Sequence, residues 1–182
     1  MKKKWMPVFG CAFSTLLLLS IDCRGQIAKT LYLSKEETKN LLTSTSGAEH
    51  KIIFQFYLNS SNELTLYAWP KKRANDENNN ADLKELHIGK DKEIKLNGQN
   101  VLLGNLNLAK KRIDTILNDL NNTTKNYKYI IFDPVMKTIG SSPINHLHYT
   151  IYGITGDITS LASLTKTRIT DTRNPSPPRK VN

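Results

Sequence analysis

The pattern of apolar and polar positions predicts a sheet with two helices. Residues 52–58 and 64–69 are β-branched and aromatic runs, and the polar link Asn59, Ser60, Ser61 and Asn62 between them is the pattern of a hairpin. In the second run Leu64, Leu66 and Ala68 fall on one face and Thr65, Tyr67 and Trp69 on the other, so the strand has an aromatic outer face. Short strands are expected at 83–88, 93–96 and 101–103, with Gly89 and Asn97-Gly98 marking reversals. The strongest strand signal lies within 127–154. Tyr127, Tyr129, Ile130, Ile131 and Phe132 form a run ending at Asp133-Pro134, and a second run spans 146–154 after a loop containing Gly140-Ser141-Ser142-Pro143.

Two segments carry helical signals. Ser34 with Glu37 three residues on forms a capping box, and Leu33, Leu41 and Leu42 supply an apolar side, predicting a short helix that ends between 43 and 47. Leu106, Ala109, Ile113, Ile116, Leu117 and Leu120 recur at helical spacing, predicting a longer helix capped by Asn105 or Asn107 and ended by Asn121-Asn122. Lys110, Lys111 and Arg112 read as its solvated face. Segment 157–167 fits a helix or a strand. The expected class is α+β: a mainly antiparallel sheet of about six to eight strands, one amphipathic helix packed on a face, and a second short helix near the mature N-terminus.

The first residues change what counts as fold. Lys2, Lys3 and Lys4 precede an apolar stretch centred on Leu16, Leu17, Leu18 and Leu19, the layout of a secretory signal peptide. Cleavage before Gln26 places Cys23 and Gly25 at the positions a signal peptidase reads. The domain layout expected is therefore a signal peptide over 1–25, one domain over 26–172, and a disordered basic proline-rich tail over 173–182. The alternative makes Cys23 the lipidated N-terminus of an outer-membrane lipoprotein, although Ser20 and Asp22 depart from that pattern. Cutting before Gln26 leaves no cysteine, since Cys11 and Cys23 are the two in the chain, so neither a disulfide nor a cysteine metal site is expected. Export places the mature chain in the periplasm or outside the cell, and no later segment reaches the ~20 apolar residues that a spanning helix needs.

Charge narrows the class of partner. The whole chain carries +10, of which residues 1–25 hold +3, leaving +7 on the mature protein. A basic exported protein favours a protein or an anionic polymer at the cell envelope, while export argues against nucleic acid. Trp69 and Tyr67 followed by Lys71, Lys72 and Arg73 form a candidate binding stretch, with aromatic rings to stack on a ligand and cations to hold its charge. The bland reading is a solvated loop.

Chemistry is sparse. His146 and His148 sit two apart in an expected strand and so share a face, and with Asp133 or Asp157 as a carboxylate they form the one candidate metal or catalytic group. The bland reading is the polar face of an amphipathic strand. His148-Tyr149-Thr150-Ile151 resembles one motif of the two-histidine phosphoesterases, in which a histidine and a hydroxyl residue two further on hold a phosphate. That family uses two copies, and the residues after His50 and His87 supply no second hydroxyl at the required place. No cofactor-binding motif occurs. The expected function is a non-enzymatic binding or interaction module; a small hydrolase, with or without a metal, at the histidine strand and a lipid-anchored structural component are the alternatives.

Overall fold

The computed structural model describes residues 25–44, 50–71, 84–96, 101–138, 145–158 and 165–173. The expected signal segment with Cys23, the loop residues Lys72 and Arg73, the Asn97-Gly98 turn and everything beyond Arg173 lie outside the described residues.

Among the described residues ten strands form a single curled, mixed sheet, and two helices accompany it in an α+β fold. The strand β1 (Ile27–Ser34) organises it. One edge of β1 pairs antiparallel with β5 (His87–Lys95). Its other edge is shared: Ile27 and Ala28 pair parallel with β3 (Glu63–Lys71), and Leu31 to Ser34 pair antiparallel with β8 (Tyr129–Thr138). Beyond β3 lie β2 (Lys51–Leu58) and then β7 (Leu106–Ala109); beyond β8 lie β9 (Asn145–Ile154) and β10 (Thr167–Asp171). The short strands β4 (Lys84–Glu85) and β6 (Val101–Leu102) pair with β3 and, in parallel, with β9. Asn107 of β7 and Arg173, two residues past β10, exchange backbone hydrogen bonds of 2.6 and 3.0 Å. The two ends of the strand order are thereby joined.

Local sequence accounts for much of this. In the β2–β3 link, the Asn59 side chain accepts from the backbone N–H groups of Ser61 and Glu63, both at 3.0 Å, and Asn62 takes a left-handed φ of 62° that asparagine tolerates better than most residues. Helix α1 (Lys35–Thr43) starts with its capping box formed: Ser34 Oγ accepts from Glu37 N at 3.1 Å, and Glu37 Oε2 accepts from Ser34 N at 2.9 Å. Helix α2 (Lys110–Asn121) buries Ile113, Ile116 and Leu120.

Five expectations are corrected. The helix expected from Leu106 begins at Lys110, because Leu106 and Leu108 point inward from β7 while Asn107 uses its backbone on Arg173. β8 does not stop at Asp133-Pro134 but continues to Thr138; Pro134 lies past the last β1 partner, Phe132, where no ladder bond to β1 requires its missing N–H. Gly89 lies within β5 and not at a reversal. Arg112 does not simply face solvent: its guanidinium donates to Thr170 Oγ1 at 2.6 Å and to the Asp171 carbonyl, fastening α2 to β10. The parallel pairings of β1 with β3 and β6 with β9 also make the sheet mixed, where sequential antiparallel neighbours were expected.

The main core joins both helices to the inner face of the sheet. It gathers Leu41 and Leu42 of α1, Ile113, Ile116 and Leu120 of α2, and side chains such as Leu33, Phe54, Leu66, Phe132 and Tyr149. A second cluster around Ala28, Leu64, Leu96, Val101 and Leu147 continues the same apolar interior. No helix among the described residues is long and apolar enough to cross a membrane.

Candidate functional site

The outer faces of the sheet carry two groups of chemistry-bearing residues. The first is polar and spans β8, β9 and β10. Register places Asp133 opposite Thr150, Val135 opposite His148 and Lys137 opposite His146, so these side chains share the face away from the core. Asp133 is 7% exposed. It lies beside an irregularity in the β1–β5 pairing: between Lys29 and Leu31 the register slips, Thr30 Oγ1 accepts from the N–H of Lys92 at 2.9 Å, and the same hydroxyl donates to Asp133 Oδ1 at 2.9 Å. Lys166 donates to Asp133 Oδ2 at 3.0 Å. Burial pushes the Asp133 carboxyl up, against the Thr30 hydrogen bond and the Lys92 charge, and burial lowers the Lys166 ammonium. Desolvation thus opposes the attraction between the two groups.

Asp171 anchors the neighbouring part of this face. Lys137 donates to Asp171 Oδ2 at 3.0 Å and Arg168 at 2.8 Å. Burial raises the carboxyl, but these two cations and Thr150 outweigh it and leave its pKa below the ordinary value. His148 is 6% exposed, and its Nδ1 lies 3.2 Å from the Thr172 carbonyl. A carbonyl only accepts, so Nδ1 carries the proton and Nε2 is the bare nitrogen. Nε2 is buried without a hydrogen-bond partner among the described residues. Burial holds the His148 pKa down, helped by Lys137 and His146, while the Thr172 carbonyl and Asp171 push the other way. The His146 and His148 rings lie 6.4 Å apart between centroids.

The sequence placed His146, His148 and Asp133 together as a catalytic or metal group, and the fold does put all three on one outer face. Within that face Asp133 is held by Thr30 and Lys166, and His148 by Thr172. Among the described residues no three histidine, cysteine, aspartate or glutamate side chains gather as a metal set would require. Lys137, Lys166, Arg168 and Asp171 were missed because their segments carry no motif; they reach this face only through the register of β10 on β9 and of β9 on β8.

The second group is aromatic and lies on β2 and β3. Alternation puts Lys51, Ile53, Gln55 and Tyr57 of β2 on the outer face, and Thr65, Tyr67 and Trp69 of β3 beside them. The Tyr57 and Tyr67 rings stack with centroids 4.4 Å apart and planes 30° from parallel. Trp69, half-buried, is opposite Ile53, and the next pair along is Lys51 opposite Lys71. Lys51 and Gln55 are exposed. Of the binding residues read from the sequence, Tyr67 and Trp69 thus lie on one outward row; Lys71 is placed by its backbone pairing; Lys72 and Arg73 lie outside the described residues. Tyr57 was missed because its role depends on the diagonal across the hairpin, which brings it onto Tyr67. No protein-family model, curated protein or solved structure matches this chain.

Proposed function

We propose that this chain is an exported, non-enzymatic binding module of a bacterial envelope that holds an anionic polymer on the outer face of β2 and β3. The observation that carries the reading is the stacked Tyr57–Tyr67 pair continuing into half-buried Trp69 and ending at the Lys51 and Lys71 row. Two-residue steps along a strand place successive outward side chains ~6.8 Å apart, so the rings offer a ladder of flat faces to a chain of sugar rings or a similar extended ligand. The basic end of the ladder and the net charge favour an acidic occupant. By contrast, Asp133, Asp171 and His148 are engaged with partners within the fold, which speaks for a structural part in the β8–β9–β10 face. An acidic protein surface is the other ligand that this chemistry fits.

The chain holds two tryptophans, Trp5 and Trp69, so removal of the signal segment leaves Trp69 as the only reporter. Titrating the mature protein with a polyuronate should shift Trp69 emission saturably, with an affinity that falls as salt rises, and Tyr67→Ala and Lys51→Glu should each weaken it by about tenfold. No emission change with a polyuronate, a polyphosphate or an acidic protein would sink the reading.

A further inference from the structure

We propose that His148 is an acid-sensitive latch holding the β10 strap, residues 167–173, in place, and that its protonation releases this strap from β9 and β7. Besides the β9 ladder and the Arg112 and Lys137 contacts described above, the end of the strap is fastened at a short run of atoms. The Thr172 N–H donates to the Tyr149 carbonyl at 2.9 Å, Thr172 Oγ1 accepts from the Tyr149 N–H at 2.9 Å, and the Thr172 carbonyl accepts from His148 Nδ1. One residue further, Arg173 makes the bridge to Asn107 that joins the ends of the sheet. Thr172 is 1% exposed, so this fastening lies out of water's reach.

The neutral imidazole suits this place and the imidazolium does not. A proton added at Nε2 creates a buried N–H with no acceptor among the described residues. The charged and titratable groups facing it are Lys137 from β8, His146 from its own strand, and Asp171 from β10. Lys137 and Arg168 both bond Asp171 Oδ2, and Asp171 Oδ1, like His148 Nε2, is buried without a partner among the described residues, so the carboxylate makes no hydrogen bond to the ring that would hold the added proton. Burial lowers the folded-state pKa of His148 below the ordinary 6.5. Whenever the strapped state binds the proton less well than the released state, strapping is fully stable above the released pKa and weakens as pH falls below it. Release uncovers the second backbone edge of β9, to which β10 is otherwise paired.

Amide hydrogen exchange on the mature protein tests this, read as protection factors for the strap and β9 amides at about pH 7.5 and about pH 5. Protection at Tyr149, Thr172 and Arg173 should fall by about tenfold or more at the lower pH, while that of the β2–β3 hairpin holds. His148→Gln keeps a donor without a titrating charge and should abolish the fall; His146→Gln should leave it in place. On the unaltered protein, protection should fall as pH drops below the ordinary histidine value of 6.5 and level off at the lower pH where the ring proton resonance of His148 titrates, which keeps the test decisive if the variants fold poorly. Strap protection that is equal at both pH values, or a fall that persists in His148→Gln, or a fall that does not level off where His148 titrates, would each overturn the latch.

Discussion

Gly153 shows how one side chain's absence shapes the core. A Cβ at Gly153 would lie 2.6 Å from three atoms of the Tyr127 ring, which covers the strand there. Gly153→Ala should therefore cost about 1–3 kcal/mol in urea unfolding, since the ring or the strand must shift. The cost should shrink in a Tyr127→Ala background, and equal costs in both backgrounds would show that the ring is not the obstacle. Asp171 makes a second residue-level case. Its carboxyl has a folded pKa below the ordinary 3.8, so its stabilising contribution is fully present above that value and is lost as pH falls through the folded pKa. Asp171→Asn should lower the urea midpoint near neutral pH and flatten its decline in acid. These residues were only partly legible in the sequence: Asp133 and the histidines stood out by type, whereas Gly153, Lys166 and Asp171 acquire meaning only from what lies across the sheet.

Among the elements, α1 could be read in advance because its capping box is a contact between residues three apart, and Ser34→Ala should cost about 1 kcal/mol. α2 was read too long because Leu106 and Leu108 serve a two-residue period that the following helical spacing masks. β1 escaped notice for a related reason: its inward residues Ala28, Leu31 and Leu33 are spaced by three and then by two, since the register slips at Thr30. β10 is mostly polar, with Ile169 as its one apolar residue, and is held by side chains distant in sequence. Arg112 supplies part of that hold, so Arg112→Ala should destabilise the protein by about 2 kcal/mol and loosen β10 before the rest. If exchange at β10 were unchanged in that variant, the clamp from α2 would carry no weight. The outer-face aromatic row was half legible: the alternation named Tyr67 and Trp69, but Tyr57 needed the diagonal.

At the level of the whole molecule, β1 stands between halves of the sheet that are far apart in sequence, and its partners come from residues 63 to 132. The joining contact, from Asn107 to Arg173, is non-local as well. Such non-local pairing predicts folding in milliseconds to seconds, slower than a helical protein of this size. A chain cut after Lys166, without β10 and the Arg173 bridge, should lose its single cooperative unfolding transition, which a urea titration followed by circular dichroism would show.

The three-way sharing of β1 also has a consequence for the export proposed above. A chain threaded from its N-terminus presents β1 early, but β8 follows about a hundred residues later and the bridging Arg173 later again. Until then the emerging segment has edges to offer and little to close them with. For a chain exported in this way the fold would set in late, as threading nears its end, and the same lateness would leave the unfinished sheet in need of shelter on the far side.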